Sequence, residues 1–260
     1  LFYASIDTDP MPQLSPLSYT TSPLLPLPHG MFNGLGGTSA PPFASLNLSY
    51  SVGDIEDNVR TNRAIAQQAL GLSGLISVKQ VHGDRILLAQ EQHIGTEPEG
   101  FDAIISTLPD TGLLIQQADC QAILLWAPQP PVIAAIHCGW RGSVQGIIGK
   151  TITCMQQEYG VSPESIRAVI SPSLGPCCAE FINYRQELPF WMHDFQPSPN
   201  HFDFWAISRQ QLIEAGVALH NIDTAGLCTK CNDQYFSYRR AVQNSGGITG
   251  RNGSIIGLPG

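Results

Sequence analysis

Charge is scarce in this chain. Only 13% of its 260 residues are charged, and 13 basic residues face 21 acidic ones, for a formal net charge of −8. Binding a nucleic-acid backbone requires clustered Lys and Arg, so that class of partner is excluded. Long apolar runs are missing as well. No stretch reaches bilayer-spanning length, and Asp7, Asp9, Pro10 and Pro12 interrupt the place where a secretion signal would put its apolar segment. Neither a membrane partner nor a secretory leader is therefore expected. The seven histidines include no H-x-H pair, which argues against the many ligands that several coppers need. Absent too are G-x-G-x-x-G, G-x-S-x-G, and H-x-E followed by P-C-x-x-C. Those gaps set aside a dinucleotide fingerprint, a nucleophile elbow and the usual zinc nucleobase-deaminase scaffold. The segment GSVQGIIGKT fails as a P-loop because Val144 stands where the first Gly is required.

Cysteine, by contrast, is plentiful. Seven copies make an odd number, and most lie in apolar surroundings, which points to reduced thiols and a cytoplasmic location. Cys228 and Cys231 form a lone C-x-x-C. A structural metal would need a second pair at suitable spacing, which Cys177-Cys178 does not supply, so this pair is read as having no metal.

Residues 1–28 are rich in Pro, Ser and Thr and read as an extended arm able to add an edge strand, with a catalytic domain over 29–260. Val59, Ala66 and Leu70 mark a helix over 54–70, capped by Asp54 or Asp57 and stopped at Gly71. A second helix is expected from Ser143 to Gly160, with Val144, Ile147, Ile148, Ile152 and Met155 on its buried face. A third is expected over 208–215, with Ser208 and Gln211 as a capping box. Strands are expected near 75–81, 85–89, 103–106, 112–118, 122–126, 132–136 and 166–170. Several are apolar without interruption, as in strands covered on both faces. These elements describe one α+β domain.

Three reactive side chains stand where apolar runs give way to turns: His82, Cys120 and His137. Two imidazoles and one thiolate make three ligands of an open tetrahedral zinc site. They equally make a Cys nucleophile with a His base, or a buried thiol beside two turn histidines. Asp119 either orients a histidine or caps a turn. Arg141, with free N–H groups of a helix beginning near Ser143, offers an anion pocket that Arg239 and Arg240 can also reach.

A set of short segments then resembles one family closely. They are Gln80-Val81-His82-Gly83, Ala118-Asp119-Cys120, His137-Cys138-Gly139-Trp140-Arg141-Gly142, Leu174-Gly175-Pro176-Cys177-Cys178, Phe236-Ser237-Tyr238-Arg239-Arg240 and Thr249-Gly250-Arg251. His29-Gly30, Gly36-Gly37 and Ser45-Leu46-Asn47-Leu48 match as well. In this order they resemble the YfiH-like family, first labelled multicopper polyphenol oxidase (laccase) and later assigned purine nucleoside phosphorylase activity. The resemblance implies a single α+β domain of mixed sheets flanked by helices. It implies that His82, Cys120 and His137 are both catalytic and metal-ligating, with zinc as the metal and copper as the alternative. Implied substrates are purine nucleosides and phosphate: phosphorolysis of adenosine, inosine and methylthioadenosine, together with adenosine deamination. Arg141, Arg239, Arg240 and Asp119 are the candidates for binding substrate or phosphate, in a monomer or homodimer. The alternatives are a laccase-type copper oxidoreductase and a metal-free Cys/His hydrolase. The chain departs from the family pattern at Gly34, where an Arg is usual, and at Cys138, Ala179 and Asn252.

Overall fold

Strands apolar on both faces need a cover on each side, and the computed structural model, which describes residues 16–260, supplies it with two stacked sheets between helical layers. The chain runs through β1 (Tyr19–Thr20), β2 (His29–Phe32), α1 (Glu56–Ala69), β3 (Gly74–Ser77), β4 (Ile86–Leu88), β5 (Ala103–Ser106) and β6 (Thr111–Gln117). It continues through β7 (Gln121–Pro128), β8 (Pro131–Cys138), α2 (Trp140–Gln145), α3 (Ile147–Tyr159), β9 (Arg167–Ile170) and α4 (Tyr184–Glu187). Last come α5 (Phe204–Glu214), β10 (Ile222–Thr224), α6 (Tyr238–Ser245) and β11 (Asn252–Gly257). One sheet has the order β1-β2-β11-β6-β3 and the other β10-β9-β7-β8-β5-β4. Both mix parallel and antiparallel pairs.

The side chains sort by the period of two. Met31, Ile76, Leu113, Ile115 and Ile256 of the first sheet meet Ile104, Leu124, Ile133, Ala135 and Val169 of the second between the layers. Their neighbours Ile105, Ile123, Leu125 and Ile136 point the other way, onto Ile148, Ile152 and Met155 of α3 and Leu212 of α5. Outside the first sheet, Leu114 and Ile255 pack with Ala66 of α1. Each Ile or Leu so enclosed contributes roughly 1.5–3 kcal/mol of burial, which is why these strands tolerate no polar alternation.

Several local expectations need correction. The expected α3 is interrupted at Gly146, whose φ of 72° breaks the ladder, so Val144 falls on a separate short helix and is 39% exposed. In α1 the N-cap is Ile55, with no side-chain cap bond. Asp54 instead accepts from Ile55 N, Ser39 Oγ and Asn47 Nδ2. The third helix begins at Phe204, where Asp203 accepts from Ala206 N at 3.0 Å. Ser208 is therefore not a cap: it is buried and donates to Gln121 Oε1. Of the proposed arm, Tyr19–Thr20 pairs with β2 at the sheet edge, and residues 1–15 lie outside the described residues. Among the described residues no helix is long and apolar enough to cross a membrane.

Candidate active site

The chain passes from the first sheet to the second twice, and the two crossings lie side by side. β3 and β6 are parallel neighbours, pairing Ser77 with Leu114, and each hands over at its C-terminal end to a strand of the second sheet. The β3–β4 crossing carries His82 and the β6–β7 crossing carries Cys120. β8 runs back antiparallel to β7 in a register pairing Ala122 with His137, so its last turns arrive at the same end. This topology brings together three residues that no local motif links. Their ligand atoms lie within 4.8 Å of one another, and the two imidazoles stand edge to face with centroids 4.8 Å apart.

A residue that sequence reasoning missed fixes this arrangement. Asp102 is fully buried just before β5, and its carbonyl accepts from His137 N at 2.7 Å, extending the β5–β8 ladder by one step. Its carboxylate Oδ1 lies 2.8 Å from His137 Nδ1. The same carboxylate accepts from the backbone N–H groups of Val81, His82 and Gly83 at 3.2, 2.9 and 2.7 Å. His82 has a φ of 61°, a left-handed conformation uncommon outside Gly, and these bonds hold it there. The only signal in the sequence was an Asp at the mouth of an apolar strand, and its partners could not be seen without the register.

The electrostatics follow from the packing. Burial alone would raise the Cys120 thiol, but the imidazoles of His137 and His82 outweigh it and bring the group down to about 6. Burial likewise opposes protonation of His137, yet the Cys120 sulfur and the Asp102 carboxylate raise it to about 9. Asp102 is pushed up by burial but held below the usual carboxylate range by His137 and the backbone donors. A buried carboxylate can only accept, so Nδ1 of His137 carries a proton and donates it to Asp102, while Nε2 faces Cys120. Cys138 shares none of this: buried on the other side of β8, next to Ser143, its thiol is pushed up to about 12 by burial.

Two cavities open onto the cluster, and His82, Ala118, Cys120 and Tyr238 line both. One, of about 540 Å³, is walled by Trp140, Phe181, Phe204 and Leu174, with Arg141 and Arg239 among its polar groups. The other, of about 510 Å³, is the more polar of the two and holds Lys79, Gln80, Gln116 and Arg251. Arg251 belongs to the matching segment Thr249-Gly250-Arg251, where no role is expected of it. Here it faces the cluster, with its pKa lowered by burial.

Arg141 stacks on the Trp140 ring with its Cζ 4.4 Å from the centroid, and makes no ion pair among the described residues. The helix behind it begins at Trp140, so the Ser143 N–H is not free: it donates to Gly139 O at 3.0 Å. Arg239 lies at the rim of the aromatic cavity, and its guanidinium donates to the carbonyls of Cys178 and Glu180. Arg240 does not join them. It donates to the carbonyls of Thr229, Lys230 and Tyr235 and lines a separate cavity that also contains Gly34. Asp119 borders the aromatic cavity but touches no histidine. Its oxygens accept from Thr229 Oγ1, Ser237 Oγ and Arg239 N, pinning the start of α6. His29 is a satisfied interior residue, bonded to Ser22 N and Leu27 O.

Comparison with known proteins bears on the fold and the family. Residues 28–259 match the family described as "Multi-copper polyphenol oxidoreductase laccase". A protein named purine nucleoside phosphorylase from Bacteroides thetaiotaomicron is 31% identical over 82% of this chain and 86% of its own length. One of the same name from Deinococcus radiodurans is 33% identical over 92% of each. The crystal structure of YlmD from Geobacillus stearothermophilus superposes with a TM-score of 0.81 at 29% identity, covering 92% of this chain and 94% of that one. Such homologues support an enzyme acting on small molecules, with a nucleoside phosphorylase role in the family. The chain belongs to the multi-copper polyphenol oxidoreductase laccase family, whose YfiH and YlmD members share its fold.

Proposed function

We propose that this protein is a zinc-dependent purine nucleoside phosphorylase that accepts adenosine, inosine and methylthioadenosine and also deaminates adenosine. The observation that carries the reading is the His82–Cys120–His137 cluster at the junction of an aromatic cavity and a cationic one. The donor set fits a metal: two imidazoles and a thiol already biased toward thiolate, with a carboxylate behind His137 and the remaining approach open to both cavities. Zinc held by His82, Cys120 and His137 would supply Lewis acidity next to the reacting bond.

The protein's own side chains account for the rest. A purine needs an apolar aromatic surface to lie against, which Trp140, Phe181 and Phe204 offer along that cavity, and Arg141 and Arg239 at its rim favour the polar edge of the base. Phosphate needs positive charge held in position, and the candidates in the other cavity are Arg251, tied to the carbonyls of Thr249 and Gly250, and Lys79, which also pairs with Glu99 at 3.3 Å. In phosphorolysis a phosphate oxygen forms the new bond to the ribose carbon while the glycosidic C–N bond breaks, and the base leaves with that electron pair and takes up a proton. Holding the two reactants on opposite sides of one junction replaces a costly encounter with a positioned one.

The test is incubation of zinc-loaded protein with adenosine, with and without phosphate. Phosphate-dependent release of adenine and ribose 1-phosphate, with inosine formed in either condition, is expected. Absence of both products overturns the reading. A second reading, a metal-free cysteine hydrolase, is favoured by one observation, the lowered Cys120 thiol beside a raised His137. Activity that survives complete chelation but not alkylation of Cys120 would select it.

A further inference from the structure

Far from the His82 cluster along the sequence, the fold assembles a second group of metal-ligating side chains. Cys177 and Cys178 lie in the turn after β9, and Cys228 and Cys231 in the loop after β10. By spacing alone the adjacent pair and the C-x-x-C form no metal motif, and the sequence gives them no metal. The structure corrects that: all four sulfurs lie within 4.8 Å of one another. Cys231 Sγ is 3.7 Å from Cys177 Sγ and 3.4 Å from Cys178 Sγ. A tetrahedral zinc with Zn–S bonds of about 2.3 Å sets its sulfurs about 3.8 Å apart, so the spacing is that of a four-thiolate cage.

The two loops are brought together by backbone. Parallel strands β9 and β10 deliver them in register, and a bridge continues that pairing, with Ser173 N donating to Leu227 O and Thr229 N to Ser173 O. Gly175 permits the approach, since a Cβ there would lie 3.1 Å from that of Cys228 and 2.8 Å from the Trp205 ring. Cys178 and Cys228 are half-buried, and Cys177 and Cys231 are exposed at the rim.

We propose that Cys177, Cys178, Cys228 and Cys231 bind a structural zinc ion that staples the wall of the substrate cavity. Four sulfur donors with no open position are the mark of a structural site, and a soft, tetrahedral set selects zinc among common divalent ions. The staple has a direct mechanical path to the active site. Thr229, next to Cys228, donates to Asp119 Oδ1 at 2.6 Å, and Asp119 is followed by Cys120. From the other loop, the carbonyls of Cys178 and Glu180 hold the Arg239 guanidinium. Both cavity-facing contacts therefore depend on loops that the metal joins.

The experiment separates the two sites. Wild-type protein purified without chelator should contain two zinc ions per chain by elemental analysis. The His82→Ala/Cys120→Ala double variant, stripped of the first cluster, should keep one, and its zinc-edge X-ray absorption should show four sulfurs at about 2.3 Å. Loaded with cobalt(II), the same variant should show sulfur-to-metal charge-transfer bands. A Cys228→Ser/Cys231→Ser double variant should lose one zinc from the wild-type count. If that variant does not fold, thiol titration of the His82→Ala/Cys120→Ala protein decides: four thiols should become reactive together when zinc is chelated. A His82→Ala/Cys120→Ala protein without zinc overturns the proposal, as do a nitrogen- and oxygen-dominated shell, iron in place of zinc, or a disulfide within the four.

Discussion

His137 donates through Nδ1 to Asp102 Oδ1 at 2.8 Å, while its own backbone N–H donates to the Asp102 carbonyl at 2.7 Å. One buried residue thus fixes the tautomer, the ring plane and the strand position of a proposed metal ligand. It also ties down the left-handed turn that carries His82. Asp102→Asn keeps the shape but loses the charge, so three backbone donors and an imidazole lose their anionic acceptor. Zinc affinity is expected to fall about 10–100-fold, and stability by on the order of 3 kcal/mol, measured by competitive chelation and denaturant unfolding. The sign with pH follows from the carboxyl being lowered in the folded state. Its stabilisation is present above the unfolded carboxyl value and is lost as pH falls through the folded one, so the variant should lose that acid-side dependence. An unchanged acid limb would contradict the assignment.

Cys120 gives a second measurable consequence. In metal-free protein its thiol should titrate near 6, not near the ordinary value of 9. Below that pH the sulfur is protonated and slow to alkylate; above it the thiolate reacts. Peptide mapping of iodoacetamide-treated apoprotein should therefore show a midpoint near pH 6 at Cys120, moving upward in His137→Gln. A midpoint close to 9 in the unaltered protein counts against a paired thiolate.

How much of this was legible beforehand depends on how local the signal was. The buried faces of α1 and α3 and the two-sided strands show in hydrophobic period alone, because Ile148, Ile152 and Met155 meet the sheet wherever the helix starts. The break at Gly146 did not show, since a Gly inside an apolar period reads as a weak helix position and not as a left-handed stop. His82, Cys120 and His137 were visible as reactive groups at the ends of apolar runs, and their convergence was a matter of resemblance. Asp102 and the four-cysteine cluster were invisible for the same reason. Their partners are set by strand register and parallel pairing, which a single sequence does not display.

Glycine at two positions separates crowding from propensity. A Cβ on Gly139 would lie 2.9 Å from Cys120 Sγ and 3.4 Å from His82 Cδ2, whereas one on Gly149 in α3 meets nothing within 4 Å. Gly139→Ala should displace the two proposed ligands Cys120 and His82 and lower turnover about 100-fold, the scale of a misplacement near 1 Å. Gly149→Ala should leave turnover alone and stabilise the helix by roughly 0.5–1 kcal/mol. Thermal unfolding and steady-state assays of the pair check both arms, and equal turnover in the two variants would refute the close packing at Gly139.

Two arginines distinguish anion binding from loop support. Arg251 donates to the carbonyls of Thr249 and Gly250 yet still lines the polar cavity beside Lys79. Arg240 is spent on the carbonyls of Thr229, Lys230 and Tyr235, away from the cluster. A hydrogen bond to a charged group contributes about 1.5–3 kcal/mol, so Arg251→Ala should raise the KM for phosphate tenfold or more, with a smaller rise for nucleoside. Arg251→Lys keeps the charge without the fork and should fall between. Arg240→Ala should instead lower Tm while the phosphate KM stays near that of the parent protein. If Arg240→Ala moved the phosphate KM and Arg251→Ala did not, the anion would have to bind in the separate cavity that Arg240 lines, away from His82, Cys120 and His137, and the assignment of reactants to the two cavities would fail.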